Sequence, residues 1–245
     1  MKPAENNDIK IDIVIPAYNE ERILEKNITR LIAFLKAGFT YKNFKVIIAD
    51  NGSVDNTFGI AQRLAKRYGE VTCLHLSKKG RGGALRKAWL ESDADIVSYM
   101  DADLSADLEA LPELINSITT GGYDIAVGSR LLPASRTNRS RLRRFLSYAY
   151  NLVIKDIFCL EQLPDAQCGF KALRKTVIDK IVPKIRNQNW FFDSELLIHG
   201  VKKGYKIKYL PVNWEERLKT KVKIWKTIFE DIFGILRLIL KQNEI

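Results

Sequence analysis

Two carboxylates one residue apart, Asp101 and Asp103, directly follow an apolar run that ends at Met100. Carboxylate oxygens are ligands that Mg²⁺ and Mn²⁺ prefer, and these ions are often held by one or two carboxylates together with substrate phosphates. The pattern therefore predicts a divalent-cation site that neutralises the charge of a bound phosphate group. The alternative interpretation is a pair of solvated carboxylates at a helix start, where Asp107 and Glu109 also occur.

Two more polar clusters follow apolar runs of strand length. They are Pro16-Ala17-Tyr18-Asn19-Glu20 and Asp50-Asn51-Gly52-Ser53. In open α/β sheets, ligands bind outside the carboxyl ends of the strands, so equivalent strand ends would bring all three clusters to one edge. Each cluster alone is also consistent with a simple turn or a helix cap. Their joint occurrence favours a ligand site.

A glycine-rich segment, Lys78-Lys79-Gly80-Arg81-Gly82-Gly83-Ala84, follows a further apolar run and opens a predicted helix. Glycines let backbone N–H groups approach a phosphate, and the positive end of a helix dipole favours the anion. The segment is neither a Walker A nor a GxGxxG sequence, so by itself it is a weak signal.

The elements that must position these residues alternate through the first half of the chain. The predicted strands are 11–15, 46–49, 71–76, 96–100 and 124–127, and the helices between them are 21–37, 57–68, 84–90 and 108–118. Because the strands lack polar alternation, we predict an α/β fold with a mostly parallel sheet covered by helices on both faces. After Arg130 we predict a helix over 142–158, a loop over 164–170, a helix over 192–202 and a strand over 206–210.

The composition narrows the class of partner. Lys and Arg number 40 against 29 Asp and Glu, and the formal net charge of +11 favours anionic partners. The three cysteines, Cys73, Cys159 and Cys168, fit neither a disulfide framework nor a CxxC metal site. The first residues lack the apolar core of a signal peptide, and no window offers the ~20 apolar residues of a spanning helix.

Taken in order, PAYNE, DNGS with Asp55 and Thr57, KGRGGA and DAD resemble the inverting family 2 glycosyltransferases, whose GT-A fold is a Rossmann-like nucleotide-binding domain. Three later segments, DAQCGFK, FDSELL and VNW, are similar to the dolichyl-phosphate sugar synthases, and to the β-glucosyl enzymes more than the mannosyl enzymes. The resemblance covers residues 11–223. It implies an inverting, metal-dependent transfer of a hexose from a nucleotide-sugar, UDP-glucose in the first instance, to a polyprenyl (dolichyl) phosphate.

The same resemblance implies roles for individual residues. The base and ribose pocket would be lined by Pro16, Ala17, Tyr18, Glu20, Asp50 and Asn51, with Lys79, Arg81 and Gly82 beside it. Asp101, Ala102 and Asp103 would bind the diphosphate, with the two carboxylates holding Mg²⁺ or Mn²⁺. Arg130 would meet the acceptor phosphate, and Arg217 and Lys221 would close over the phosphates.

Two positions depart from the family pattern. The family usually has two acids before Gly-Ser, and here the second is Asn51, so UDP and GDP both stay open. The mannosyl enzymes carry a metal-ligand Gln two residues after the second Asp of DAD, where this chain has Ser105. The alternatives are a GDP-mannose-dependent polyprenyl-phosphate mannosyltransferase and a family 2 enzyme that acts on a glycan hydroxyl.

The chemistry of the acceptor separates the enzyme that acts on a glycan hydroxyl from the two polyprenyl-phosphate enzymes. A monoalkyl phosphate has its second pKa near ~6, so it is largely dianionic at neutral pH and needs no general base. A hydroxyl acceptor needs one, and Asp193 is the best candidate in the sequence. His75 is expected in a strand and His199 in a helix interior, where structural roles are more common.

Residues 222–240 predict an amphipathic helix, whose apolar face is Trp225, Ile228, Phe229, Ile232, Leu236 and Ile239. Such a face with basic flanks is typical of a helix in the bilayer interface, and the alternative is a helix packed on the domain. The arginine-rich run 136–144 lacks the interleaved aromatics that would favour nucleic acid. We therefore predict a catalytic domain over 1–221, an interfacial helix over 222–245, and peripheral binding to an anionic membrane surface at its cytoplasmic face.

Overall fold

The structure, a computed structural model, describes residues 8–160, 163–215 and 224–240, and for 224–226 the backbone alone. The order of elements in these ranges is β1 (Ile11–Ala17), α1 (Leu24–Gly38), β2 (Phe44–Asn51), α2 (Thr57–Arg67), β3 (Val71–Leu76), α3 (Arg81–Glu91), β4 (Ile96–Met100), α4 (Leu111–Thr119), β5 (Ile125–Ser129), β6 (Arg136–Asn138), α5 (Arg141–Phe158), β7 (Phe170–Arg174), α6 (Lys175–Ile181), α7 (Phe192–Lys202), β8 (Ile207–Pro211), β9 (Asn213–Glu215) and α8 (Ile224–Leu240). Short 3-10 turns at Leu108–Ala110 and Val182–Lys184 precede α4 and follow α6.

The described strands form a seven-stranded sheet in the order β3-β2-β1-β4-β7-β5-β8. Its neighbours pair in parallel except β7, which runs antiparallel between β4 and β5. Strands β6 and β9 form a separate parallel pair. The predicted α/β class with a mostly parallel sheet is confirmed.

Helices cover both faces of this sheet, as predicted. One face carries α1, α2 and α4, which pack around Leu31, Ile60 and Leu114. The other face carries α3, α5, α6, α7 and α8, and its core includes Trp89 and Phe192. Because both faces are buried, the strands can be apolar throughout, and all seven residues of β1 are buried.

The second half contains strands β6, β7 and β9 and helix α6, which the sequence did not predict. The segment expected to be a loop over 164–170 leads into β7, and α6 follows it. An apolar-run criterion misses β7 because its sequence, Phe-Lys-Ala-Leu-Arg, has a lysine at a buried position. The basic stretch at 136–144 likewise contains β6 and the start of α5, where the Ser140 side chain caps the helix by accepting a hydrogen bond from the Arg143 N–H.

Helix α8 has two different apolar sides. Its inner line, Asp231, Gly234, Ile235 and Leu238, is buried against the domain. Its outer line, Phe229, Ile232, Phe233, Leu236, Ile239 and Leu240, is exposed and contains most of the described residues predicted for the apolar face. The side chain of Trp225 lies outside the described part of the chain. No helix within the described ranges is long and apolar enough to cross a bilayer.

Candidate active site

The carboxyl ends of β1, β2 and β4 meet at one edge of the sheet, because these strands are neighbours. The loops after β1 and β2 are tied together directly. The Asn19 N–H donates to Ser53 Oγ at 2.9 Å, and the Val54 N–H donates to Asn19 Oδ1 at 2.9 Å. Asn19 adopts a left-handed backbone with φ of 55°, which asparagine tolerates better than most residues. The three clusters recognised in the sequence therefore share one site.

Asp50 and Asn51 are consecutive in β2, so their side chains project to opposite faces of the sheet. Asp50 is fully buried beside β3, where its Oδ2 lies 2.7 Å from His75 Nδ1. Asn51 faces the glycine-rich segment, and its Oδ1 accepts a hydrogen bond from the Gly80 N–H at 3.1 Å. This amide thus anchors the phosphate-binding candidate loop. Gly52, the next residue, has φ of +75°, and a Cβ there would lie 3.0 Å from Lys79 N. Both the backbone conformation and the close contact with the glycine-rich segment therefore favour glycine.

The aromatic ring predicted to line the nucleoside pocket is partly covered. The ammonium of Lys79 lies 3.7 Å from the centroid of the Tyr18 ring, a cation–π contact. Pro16 and Ala17 are buried residues of β1, and Tyr18 and Glu20 are half-buried in the loop that follows. A base stacking on this face of Tyr18 would have to displace the exposed Lys79 side chain.

Arg81, the first residue of α3, connects the glycine-rich segment to both acidic motifs. Its Nη2 lies 3.0 Å from Asp101 Oδ1, and its Nη1 lies 2.6 Å from Asp193 Oδ2. Gly82 allows the start of α3 to pack closely against the start of α7, because a Cβ on residue 82 would lie 2.6 Å from the Cβ of Phe192. A guanidinium can bridge two carboxylates because its donors form a rigid fork.

Asp193 is buried at the centre of a charge cluster. Besides Arg81, its carboxylate accepts hydrogen bonds from Lys171 Nζ at 2.9 Å and from the Tyr99 hydroxyl. Burial by itself would raise the pKa of Asp193, but the ammonium of Lys171 and the guanidinium of Arg81 outweigh burial and hold that pKa below its ordinary value. A carboxylate with a low pKa and three donors is poorly suited to accept a proton from a substrate hydroxyl.

Lys171 is a residue that the sequence motifs contained without revealing its role. It is fully buried in β7, and its ammonium also donates to the backbone oxygens of Ala166 at 3.1 Å and Cys168 at 2.6 Å. These contacts fix the DAQCGFK loop against α7. A buried ammonium needs such partners, because removing it from water is costly. No periodicity in the sequence identifies a lysine as buried.

The Asp101–Asp103 turn suits a hard divalent cation. Its backbone is held by Asn27, whose Nδ2 donates to Ala102 O at 2.9 Å, and both carboxylates remain half-buried rather than sealed. The Ser105 N–H donates to Asp103 Oδ1 at 3.0 Å, so that residue orients the second carboxylate through its backbone. The described residues contain no cluster of three acidic, histidine or cysteine side chains around a common point. Two carboxylates completed by diphosphate and water oxygens therefore fit the residues present.

Arg130, predicted to meet the acceptor phosphate, lies in a buried ion pair. Its Nε and Nη2 each donate to Asp165 at 2.8 Å, and its guanidinium stacks 5.2 Å from the Trp214 ring. Asp165 is fully buried and belongs to the DAQCGFK motif. In this arrangement Arg130, which follows β5, is joined to the DAQCGFK loop. Arg217 and Lys221, predicted to close over the phosphates, lie outside the described residues.

This fold, with acidic residues, a glycine-rich segment and arginines at one edge of the sheet, is that of the GT-A class of glycosyltransferases, which use nucleotide-sugars. The model of the family described as "Glycosyl transferase family 2" matches residues 12–182, and the chain belongs to that family. The predicted family and enzyme class are thereby confirmed.

Several relatives align over most of the chain. It is 34% identical to Glycosyltransferase AglD of Haloferax volcanii over 234 residues, which are 95% of this chain and 37% of that protein. It is 30% identical to the dolichyl-phosphate beta-glucosyltransferase of Saccharomyces cerevisiae, covering 86% of this chain and 69% of that protein. The dolichol-phosphate mannosyltransferase of Pyrococcus furiosus is also 30% identical, over 97% of this chain and 66% of its own length. The chain thus spans about a third of the first protein and about two thirds of the other two.

A solved structure supports the fold. Glucosyl-3-phosphoglycerate synthase from Mycobacterium tuberculosis, in complex with Mn²⁺, UDP-glucose and phosphoglyceric acid, aligns with a TM-score of 0.72 over 96% of this chain and 80% of that chain. The identity is 17%, so this similarity concerns the fold alone.

Proposed function

We propose that this protein transfers a hexose, with inversion, from a nucleotide-sugar to a polyprenyl phosphate such as dolichyl phosphate. UDP-glucose is the favoured donor, because relatives in several organisms are dolichyl-phosphate beta-glucosyltransferases. GDP-mannose is the alternative donor, because the Pyrococcus furiosus relative is a mannosyltransferase of similar identity.

The observation that carries the proposal is the state of Asp193. A hydroxyl acceptor would need a general base, and Asp193 is committed to Arg81, Lys171 and Tyr99. A phosphate monoester is already an anionic nucleophile at neutral pH, so it does not need Asp193 as a base. In the transfer, one phosphate oxygen forms a bond to the anomeric carbon while the bond from that carbon to the diphosphate breaks. Attack opposite the leaving group inverts the anomeric centre.

The chain's own residues would manage charge during this displacement. Asp101 and Asp103 would hold Mg²⁺ or Mn²⁺, and the ion would offset the negative charge of the diphosphate. Arg81, at the N-terminus of α3, would orient the donor diphosphate beside Asp101 together with the helix dipole. The glycine-rich backbone anchored by Asn51 would border the donor site.

The direct test is transfer by the full chain to a lipid-linked product. The protein is incubated with Mg²⁺, a polyprenyl phosphate and a panel of radiolabelled UDP- and GDP-sugars, and the organic phase is counted. We expect label from UDP-glucose with polyprenyl phosphate and none with the free polyprenol. Efficient glycosylation of the free alcohol would refute the phosphate-acceptor mechanism. Label from GDP-mannose alone would show that GDP-mannose, and not UDP-glucose, is the donor.

We also propose that the enzyme binds an anionic membrane surface peripherally, at the cytoplasmic face, where the phosphate of an insoluble acceptor is accessible. The exposed apolar residues on the outer line of α8 would provide part of the membrane contact. A second exposed line runs along α5 through Leu142, Phe145, Tyr148 and Leu152, next to the exposed Arg141 and Arg144. The two helices belong to the same layer, since both pack into the core around Phe192. An apolar face with neighbouring basic residues suits anionic lipid headgroups.

Vesicle sedimentation tests this surface. We expect binding to vesicles that contain anionic lipid, weakening as salt screens the charges, and a large loss with Phe229→Glu plus Phe233→Glu. Both side chains are exposed on the outer line, so the double variant should keep the wild-type thermal unfolding temperature. Equal binding to neutral vesicles at high salt would contradict the electrostatic part, and undiminished binding of the variant would exclude α8 as the contact.

A further inference from the structure

Helix α8 contacts the domain through polar groups as well as apolar ones. Asp231 accepts a hydrogen bond from Gln167, and Arg237, at the edge of the inner line, pairs with the buried Glu195. Arg237 Nη2 lies 2.5 Å from Glu195 Oε2, and the Glu195 side chain is 1% exposed. One turn earlier in α8, Gly234 packs directly against the ring of Phe191. Only glycine fits there, because any Cβ would clash with the ring. A buried carboxylate that loses its cation is costly even where N–H donors remain, so this pair contributes to how α8 sits on α7.

Glu195 also holds a loop on its other side. Its Oε1 accepts a hydrogen bond from the Arg186 N–H and its Oε2 accepts one from the Asn187 N–H, each at 3.0 Å. Hydrogen bonds to an ionised carboxylate are stronger than those between neutral groups. The same carboxylate therefore sets the position of α8 and of the 186–191 loop relative to each other.

The 186–191 loop reaches the donor side of the site. Gln188 O accepts a hydrogen bond from the Gly83 N–H at 3.0 Å, in the first turn of α3. The ring of Trp190 lies 5.0 Å from the guanidinium of Arg81. Arg237 thus connects to Arg81, the arginine that bridges Asp101 and Asp193, through three contacts: with Glu195, from Glu195 to the 186–191 loop, and from Trp190 of that loop to Arg81.

We propose that Arg237 and Glu195 are positioning residues for Arg81, and that the seating of α8 through this pair sets the affinity for the donor nucleotide. Neither residue touches the reacting atoms. They act by fixing the 186–191 loop, which places Trp190 beside the Arg81 guanidinium and holds the first turn of α3 through Gln188. The inference rests on the proposed function in assuming a nucleotide-sugar donor, but it does not depend on which acceptor is used.

Titration calorimetry with the full chain tests this, with UDP and GDP as probes in the presence of Mn²⁺ and with neither acceptor nor lipid. We expect Arg237→Met to weaken nucleotide binding about tenfold, within the range typical of coupled sites. Arg237→Lys should stay within about twofold of the wild type, because the recorded contact with Glu195 uses a single nitrogen that an ammonium can replace. The matched control is Leu236→Gln, on the exposed side of the same turn, which should bind like the wild type.

Circular dichroism and thermal unfolding establish that each variant is folded at the titration temperature. If Arg237→Met does not fold, Arg237→Gln replaces it, since it keeps a hydrogen-bond donor without the charge. A folded variant of either kind with wild-type nucleotide affinity overturns the inference, as does an equal loss in Leu236→Gln. In transfer assays the donor KM should rise while the acceptor KM stays.

The two proposals fail in different ways. A wild type that binds nucleotide but transfers no sugar to polyprenyl phosphate contradicts the proposed function alone. Wild-type transfer with an unaffected Arg237→Met contradicts the positioning role alone. A wild type that binds neither nucleotide overturns both.

Discussion

Replacing Arg81 separates its structural role from its role in catalysis, because its two partners differ in burial. Asp193 is 1% exposed, whereas the Asp101 side chain is 31% exposed. Removing one member of a buried ion pair typically costs about 3–5 kcal/mol. In Arg81→Met, Lys171 still neutralises Asp193 and Tyr99 still donates a hydrogen bond to it, so we expect a loss in the free energy of unfolding near the lower end, about 3 kcal/mol.

Arg81→Lys should behave differently. A single ammonium cannot bridge two carboxylates as the guanidinium does, and we expect it to stay with the buried Asp193, where loss of charge is costlier. The free energy of unfolding should then fall by only about 1 kcal/mol, the size of one ordinary hydrogen bond. The unpaired Asp101 would no longer be held beside the diphosphate, so kcat/KM should fall at least ~100-fold, as when a main electrostatic stabiliser is removed.

Urea unfolding and steady-state transfer kinetics on both variants measure this split. Arg81→Lys should keep most of the wild-type midpoint and lose activity, and Arg81→Met should lose both. A lysine variant with wild-type kcat/KM, or a methionine variant with the wild-type urea midpoint, would refute the bridging role.

Three further outcomes follow from other sites. Asp103→Ala should lower turnover at least ~100-fold, and EDTA should abolish wild-type activity; activity that survives EDTA unchanged rules out the metal role. Burial raises the pKa of Asp231 to about 7, against about 4 when unfolded, so the folded protein retains the proton more strongly and stability falls as pH rises through that window. Asp231→Asn should therefore raise the thermal unfolding temperature at pH 8 and change it little near pH 4; the opposite order would contradict the burial argument. Arg130→Ala should lower the free energy of unfolding by about 3–5 kcal/mol because Asp165 stays buried, and a folded variant with wild-type stability but a raised acceptor KM would instead favour a direct phosphate contact.

The acidic and glycine-rich motifs were predictable because their signals are local. Apolar runs of strand length ending at Ile15, Ala49 and Met100 predict three strands, and the structure extends the first two by two residues at the carboxyl end of each. Equivalent ends of neighbouring parallel strands meet at one edge of the sheet. Asp101 and Asp103 could be selected as candidate metal ligands from residue type and spacing alone. The predicted helices over 57–68, 142–158 and 192–202 agree with the observed bounds to within one residue at each end.

The partners of Asp193 could not be predicted in this way. The sequence makes it the best general-base candidate, whereas the structure pairs it with Arg81, 112 positions away, and with Lys171 of β7, a strand that the sequence did not predict. A pairing of this kind depends on how β7 inserts between β4 and β5. No local pattern encodes that insertion, because the buried lysine breaks the apolar run.

Helix α8 illustrates the same division. By itself the sequence determined an amphipathic helix, the acidic turn and the family, since each depends on residue type and short-range spacing. Only the tertiary structure decided that the helix has an inner line on the domain as well as an exposed outer line, and that Arg130 faces Asp165. The physical reason is that charge pairing and burial depend on distances between residues far apart in the chain, which are set when the elements pack together.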